Sequence, residues 1–286
     1  MSAVAAPLPL RLARLVKLEH TVFALPFALI GALLASGGSP GWANVGWIVA
    51  AMAGARTLAM ALNRLVDAEL DARNPRTAVR ELPSGALTRV QVAVLCLAAV
   101  ALYVLSTWQL NAAVRWLWPI PVVLFVVYPY LKRFTWLCHL WLGASLGLAP
   151  VGAWAAVAGT FPLESWAIGG AVTLWVAGFD LFYALLDLEH DREAGLSSWA
   201  TRFGVRGVFR GAVVLHVGTV ALLVAAGIGL ELGLWYFLGV TAVAGLLAYE
   251  HSLVSPDDLR RLNTAFFTVN GVISVVLLCF VILETA

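Results

Sequence analysis

Long apolar stretches separated by short polar connections dominate this chain, and they lie near 18–37, 43–66, 89–108, 114–131, 136–158, 165–188, 208–228, 233–253 and 264–283. A helix crosses a hydrocarbon core with about 20 mostly apolar residues. Within lipid, backbone donors and acceptors must be satisfied inside the element itself or in a closed barrel, and barrel strands need only about 9–11 residues. Stretches of this length therefore predict an all-α polytopic membrane protein with about nine transmembrane helices. Composition agrees, since 62% of residues are hydrophobic and 12% charged, against roughly a quarter charged in a soluble domain. No linker or low-complexity segment divides the chain, so 1–286 reads as a single domain.

Lys and Arg collect in short cytoplasmic loops. If nine spans alternate, Arg11, Arg14, Lys17, Arg73, Arg76, Arg80, Arg89, Lys132, Arg133, Arg192, Arg202, Arg206, Arg210, Arg260 and Arg261 share one side and Arg115 lies opposite. Arg64 sits at a membrane edge on the basic side, and Arg56 lies inside a span. The N-terminus is then cytoplasmic and the C-terminus outside, as in an integral protein of the inner (cytoplasmic) membrane. The opening RLARLVK and the apolar run ending LLASGG imitate a cleaved signal peptide, but removing them would break the charge alternation. Because topology accounts for the basic residues, a net charge of +2 implies no nucleic-acid partner; the lipid bilayer is the surrounding the sequence asks for. Cys96, Cys138 and Cys279 fall in separate spans, without disulfide or metal spacing.

Two longer connections, 67–88 and 187–207, follow the second and sixth spans on the basic side, as though the chain had two related halves. In the first, Asn63, Asp67 and Asp71 are four apart and stack on one helical face. In the second, DLFYALLDLEHDREAG, a continuous helix at about 100° per residue places Asp180, Asp187 and Asp191 in one stripe, with Glu69, Glu189 and His190 pointing elsewhere. Like charges on one face repel, and an ionised Asp at a membrane helix centre costs roughly 2.5–3.5 kcal/mol. A hard divalent cation such as Mg²⁺ would offset this, because it takes one or two carboxylates and leaves other positions to water and phosphate. Two facing acidic surfaces could hold two ions with a diphosphate between them. Solvated helix ends would explain one such run, though less readily two. A transporter using carboxylates for ion coupling is the other reading, but relay acids belong at mid-span, whereas these lie at cytoplasmic ends.

Asn63-Asp67-Asp71 followed by NPRT at 74–77 and ELPSG at 81–85, YPYLKRFT at 128–135, and the second pattern of Asp180, Tyr183, Ala184, Asp187 and Asp191 together resemble the UbiA family of intramembrane aromatic prenyltransferases. KLEHTVFALPFAL at 17–29, GARTLAMALNR at 54–64 and GLAPVGAW at 147–154 look most like its 4-hydroxybenzoate polyprenyltransferase members. The resemblance implies helices around a central cavity and Mg²⁺-dependent transfer of a polyprenyl chain from polyprenyl diphosphate. The aromatic acid acceptor would be 4-hydroxybenzoate or a dihydroxynaphthoate, precursors of ubiquinone and menaquinone. Homogentisate and haem or chlorophyll precursors are the alternatives within the family.

On this reading Asn63, Asp67 and Asp71 hold one ion and Asp187 and Asp191 the other, with Asp180 a helper deeper in the membrane. Asp67, Asp71, Asp187, Asp191 and Tyr183 form the expected catalytic set. Arg76, Arg80, Lys132 and Arg133 are expected at the diphosphate, with Arg64 and Arg202 behind them. Arg56, two turns deeper on the face of Asn63, is a candidate for the acceptor's carboxylate or for orienting a motif acid. Glu19, His20 and His139 read as structural groups.

Overall fold

The computed structural model describes residues 7–17, 24–256, 258–259, 262 and 268–286; Glu19, His20, Arg260 and Arg261 lie outside them. Twelve α-helices are present among the described residues: α1 Leu8–Val16, α2 Leu25–Ser36, α3 Trp42–Arg73, α4 Arg89–Trp108, α5 Ala112–Arg115, α6 Pro119–Leu131, α7 Cys138–Ala158, α8 Leu163–Tyr183, α9 Leu188–Glu193, α10 Trp199–Gly229, α11 Leu234–Leu253 and α12 Asn270–Thr285. Among the described residues, six helical segments are long and apolar enough to cross a membrane: Trp42–Arg73, Arg89–Trp108, Ala112–Leu131, Cys138–Ala158, Leu163–Glu193 and Trp199–Gly229. The other three expected spans fall on α2, α11 and α12, of which α2 and α12 are shorter apolar helices.

α3 has 32 residues and so reaches about 48 Å at 1.5 Å per residue, well beyond a core of about 30 Å. Its last turns, carrying Asn63, Asp67 and Asp71, therefore emerge at the membrane edge. The helix stops where Pro75 forces the preceding residue extended; Asn74 has φ −91° and ψ 117°. α4 starts with a capping box between Thr88 and Gln91, and α10 with one between Ser198 and Thr201. These stops and starts fix the loop after the first motif and the edge of the second.

The two halves meet along an antiparallel seam of α7 and α8. A Cβ at Gly143 would lie 2.1 Å from the Thr173 carbonyl oxygen, and one at Gly147 would lie 2.4 Å from that of Gly169. Small residues spaced by four let membrane helices approach this closely. One turn before Gly143 the seam carries His139, opposite Asp180. α1, α3, α4 and α6 share one apolar core around Leu15, Leu58, Val92 and Phe125. α2, α8, α10, α11 and α12 share another around Phe27, Trp175, Leu223, Tyr236 and Ile273.

Candidate active site

Between these halves lies a cavity of about 270 Å³. Asn63, Arg64, Asp67, Asp71, Asn74, Arg76, Arg80, Lys132, Asp180, Tyr183, Asp187 and Asp191 line it, so both acidic motifs face one space. Ala59 and Met60 of α3, Phe125 of α6 and Leu142 and Leu146 of α7 form its apolar part.

Within the first motif, Asn63 donates to Asp67 Oδ2 at 2.9 Å, and Arg133 approaches Asp67 Oδ1 at 3.6 Å. Arg80 returns from the following loop to contact both oxygens of Asp71, at 2.7 and 2.8 Å, while Arg64 lies 4.0 Å away. Asp187 is held from the other half of the chain. Asn74 Nδ2 donates to its Oδ1 at 2.9 Å, Arg76 Nε donates to the same oxygen at 2.8 Å, and the Arg76 fork also takes Oδ2. Arg76 further donates to the Tyr183 hydroxyl at 3.0 Å, its guanidinium 5.3 Å from that ring's centre. Its position is set by Asn74, whose side-chain oxygen accepts the Arg76 backbone N–H at 2.9 Å. Lys132 follows α6; burial would lower its pKa, yet Asp191 foremost, with Asp180 and Asp187, raises it above the usual lysine value. It is a fixed cation at the cavity wall.

Two cavity oxygens, Oδ1 of Asp67 and Oδ2 of Asp191, are buried without a hydrogen-bond partner. A buried carboxylate oxygen that accepts no hydrogen bond is costly, and hard-cation ligation is one way to satisfy it.

The second motif departs from a continuous helix. Residues Ala184–Asp187 form a 3₁₀ turn, and α9 starts afresh at Leu188. Asp180, Asp187 and Asp191 consequently share the cavity without sharing one helical stripe: Asp187 meets Arg76, Asp180 meets His139, and His190, expected to point elsewhere, lines the cavity. Arg56 donates to the Lys17 carbonyl at 3.3 Å, at the end of α1, and is not among the lining residues. Arg202 also stands outside, its guanidinium over the Trp136 and Phe203 rings at 5.9 and 5.6 Å. Asn74 is a site residue without an assigned role in the sequence reading, although it opens the quoted NPRT, and His139, read there as a structural group, lines the cavity beside Asp180.

The model of the UbiA prenyltransferase family matches residues 24–272. The chain belongs to that family. This UbiA-family chain is 31% identical over 235 residues to the 4-hydroxybenzoate octaprenyltransferase of Pseudomonas fluorescens, covering 82% of this chain and 78% of that protein. The apo structure of a UbiA homolog from Aeropyrum pernix superposes with a TM-score of 0.85 at 32% identity, covering 94% of this chain and 98% of that one. A UbiA homolog from Archaeoglobus fulgidus bound to GPP and Mg²⁺ shares the fold at 18% identity, with a TM-score of 0.74 over 96% of this chain and 99% of the other. Membership makes this UbiA-family chain an integral membrane enzyme of prenyl transfer.

Proposed function

We propose that the enzyme transfers a polyprenyl chain from its diphosphate to an aromatic acid, 4-hydroxybenzoate or a dihydroxynaphthoate, at a cavity facing the cytoplasm. The observation carrying this reading is that two acidic motifs, five cations (Lys17, Arg64, Arg76, Arg80 and Lys132) and an apolar patch line one cavity. The curated relatives' names point to 4-hydroxybenzoate as the first acceptor to try.

The oxygen-only donor set and the two orphaned carboxylate oxygens fit Mg²⁺. Asn63, Asp67 and Asp71 would hold one ion, and Asp187 and Asp191 another. When bound, Mg²⁺ supplies positive charge that offsets the negative charge growing on a departing pyrophosphate. The protein's own part is preorganisation. Arg64, Arg76, Arg80 and Lys132 present fixed cations around the position the diphosphate occupies, and Arg133 keeps Asp67 oriented. As the allylic C–O bond lengthens, these cations stabilise the leaving group while the Tyr183 ring faces the cationic carbon. The ring carbon of the acceptor then bonds to that carbon and gives up its proton to the departing pyrophosphate. The 74–88 connection excludes water that would otherwise capture the cation as a prenyl alcohol.

The decisive measurement is mass spectrometry of products from purified protein in lipid, given polyprenyl diphosphate and a panel of 4-hydroxybenzoate and dihydroxynaphthoates. The expected product is a C-prenylated acceptor, formed with Mg²⁺, lost with chelator and restored by added Mg²⁺. Absence of any prenylated acceptor from this panel would overturn the reading.

A further inference from the structure

The steps above leave one cavity carboxylate and one buried histidine without a task. Asp180 lines the cavity with its side chain 15% exposed. Among the described residues its hydrogen-bond partner is His139, whose Nδ1 lies 2.7 Å from Oδ2. His139 is itself 3% exposed, and its Nε2 accepts the backbone N–H of Trp199, the first residue of α10, at 3.4 Å. An accepting Nε2 places the proton on Nδ1, so Nδ1–H donates to Asp180. One carboxylate oxygen, Oδ2, is thereby pinned, and Oδ1 remains to accept from a ligand in the cavity that Asp180 lines.

This acid differs in kind from its neighbours. Asp71 and Asp187 are gripped by Arg80 and Arg76, whereas Asp180 is oriented by an imidazole and by the glycine seam that brings α7 against α8. Its surroundings also differ: Leu142, Ser145 and Leu146 follow His139 along α7, and Phe125 and Tyr128 contribute from α6. These groups make a mostly apolar wall, with the hydroxyl-bearing Ser145 and Tyr128 in it, beside the carboxylate that His139 anchors.

We propose that Asp180 is the acceptor-recognition carboxylate, taking a hydrogen bond from a ring-borne O–H or N–H of the aromatic substrate, and that His139 is the positioning residue that aims it. The proposal rests on the prenyl-transfer reading and names the half of the site that selects the acceptor. A phenolic O–H donating to a carboxylate is a charge-assisted bond. It fixes the ring's orientation and pushes electron density into it, favouring attack from the carbon ortho to the oxygen.

The test uses full-length protein in lipid with 4-hydroxybenzoate, 4-aminobenzoate and 4-methoxybenzoate, the last lacking a donor on its ring substituent. Acceptor KM, diphosphate KM and equilibrium binding of each benzoate are measured, with thermal unfolding as a check on folding. Wild-type protein should bind the hydroxy and amino compounds about 10- to 100-fold more tightly than the methoxy compound, the range expected for a hydrogen bond to a charged group. Asp180→Asn should abolish that preference and raise acceptor KM, leaving diphosphate KM within about twofold. His139→Leu should do the same more weakly, and His139→Asn, which keeps a donor near the Nδ1 position, should restore much of the preference. An unchanged hydroxy-to-methoxy ratio in folded Asp180→Asn, or a rise in diphosphate KM alone, overturns the assignment while leaving prenyl transfer intact. No binding of any benzoate overturns this assignment, and no product with either the benzoates or the dihydroxynaphthoates overturns the prenyl-transfer reading as well. Equal binding of all three benzoates by wild-type protein overturns the assignment even if the variants fail to fold.

Discussion

Asp187 receives three hydrogen bonds from two residues more than 100 positions earlier in the chain, Asn74 and Arg76. Arg76 supplies a planar fork that a lysine cannot reproduce. Arg76→Lys is therefore expected to lower kcat/KM by about 10- to 100-fold despite keeping the charge, as checked by steady-state kinetics with polyprenyl diphosphate varied. Asp67→Ala and Asp191→Ala remove the two orphaned oxygens, and each should reduce transfer by at least about 100-fold while the protein stays monodisperse and folded. Near-native turnover by either would refute the ion assignment. The motif acids were readable because spacing alone places Asn63, Asp67 and Asp71 on one face. Asn74 was not, since its role depends on Pro75 ending α3 and turning its side chain across to the other half. His139 sits in an uninterrupted apolar run, and its partner lies 41 residues away. Arg202 had the right side of the membrane and the right neighbourhood, but the aromatic rings beside it hold its guanidinium outside the cavity.

At the scale of elements, the α7–α8 crossing is the joint on which the site depends. An alanine at Gly143 would press its Cβ against the Thr173 carbonyl, a backbone atom unable to swing aside. Gly143→Ala should therefore cost about 1–3 kcal/mol of stability, read as a lowered midpoint in detergent unfolding, with turnover per folded molecule also reduced because His139 and Asp180 are moved apart. Apolar runs revealed most helices, and their length was enough for α4, α6, α7 and α8. The apolar run of α3 ends near 66, and the helix continues to Arg73 as the four-residue spacing of Asn63, Asp67 and Asp71 requires, because polar residues do not end a helix that has left the membrane; Pro75 does. The 3₁₀ turn at Ala184–Asp187 carries no proline or glycine to announce it. A periodicity argument therefore kept Asp180, Asp187 and Asp191 on one stripe, and the real chain rotates between them.

For the whole molecule, the charge alternation predicts that the cavity faces the cytoplasm. In a variant lacking Cys96, Cys138 and Cys279, Ser84→Cys should be labelled by a membrane-impermeant maleimide only from the cytoplasmic side, and Ala112→Cys only from outside. The reverse pattern would refute the orientation. Cavity size leads to another expectation. About 270 Å³ is near the lower end of small-molecule pockets, roughly 300–1,000 Å³, so a long isoprenoid tail must extend into hydrocarbon. Turnover should then vary little between donors of two and eight isoprene units, measured side by side in lipid. The sequence carried the membrane class and the pairing of the motifs, since both depend on composition and local spacing. How the halves face each other could not be read there, because it arises from glycine contacts and loop arginines acting between distant segments.

The bonds from Asn74 and Arg76 to Asp187 also bear on how the protein is made. Translation at about 5–20 residues per second separates those partners by roughly 5–20 s, and four further spans must enter the bilayer in between. Throughout that interval the first motif is already in place with its arginines, yet it has no opposite wall. A nascent chain released before the sixth span is complete should therefore insert normally and bind no prenyl diphosphate, so the enzyme becomes competent in one late step rather than by degrees.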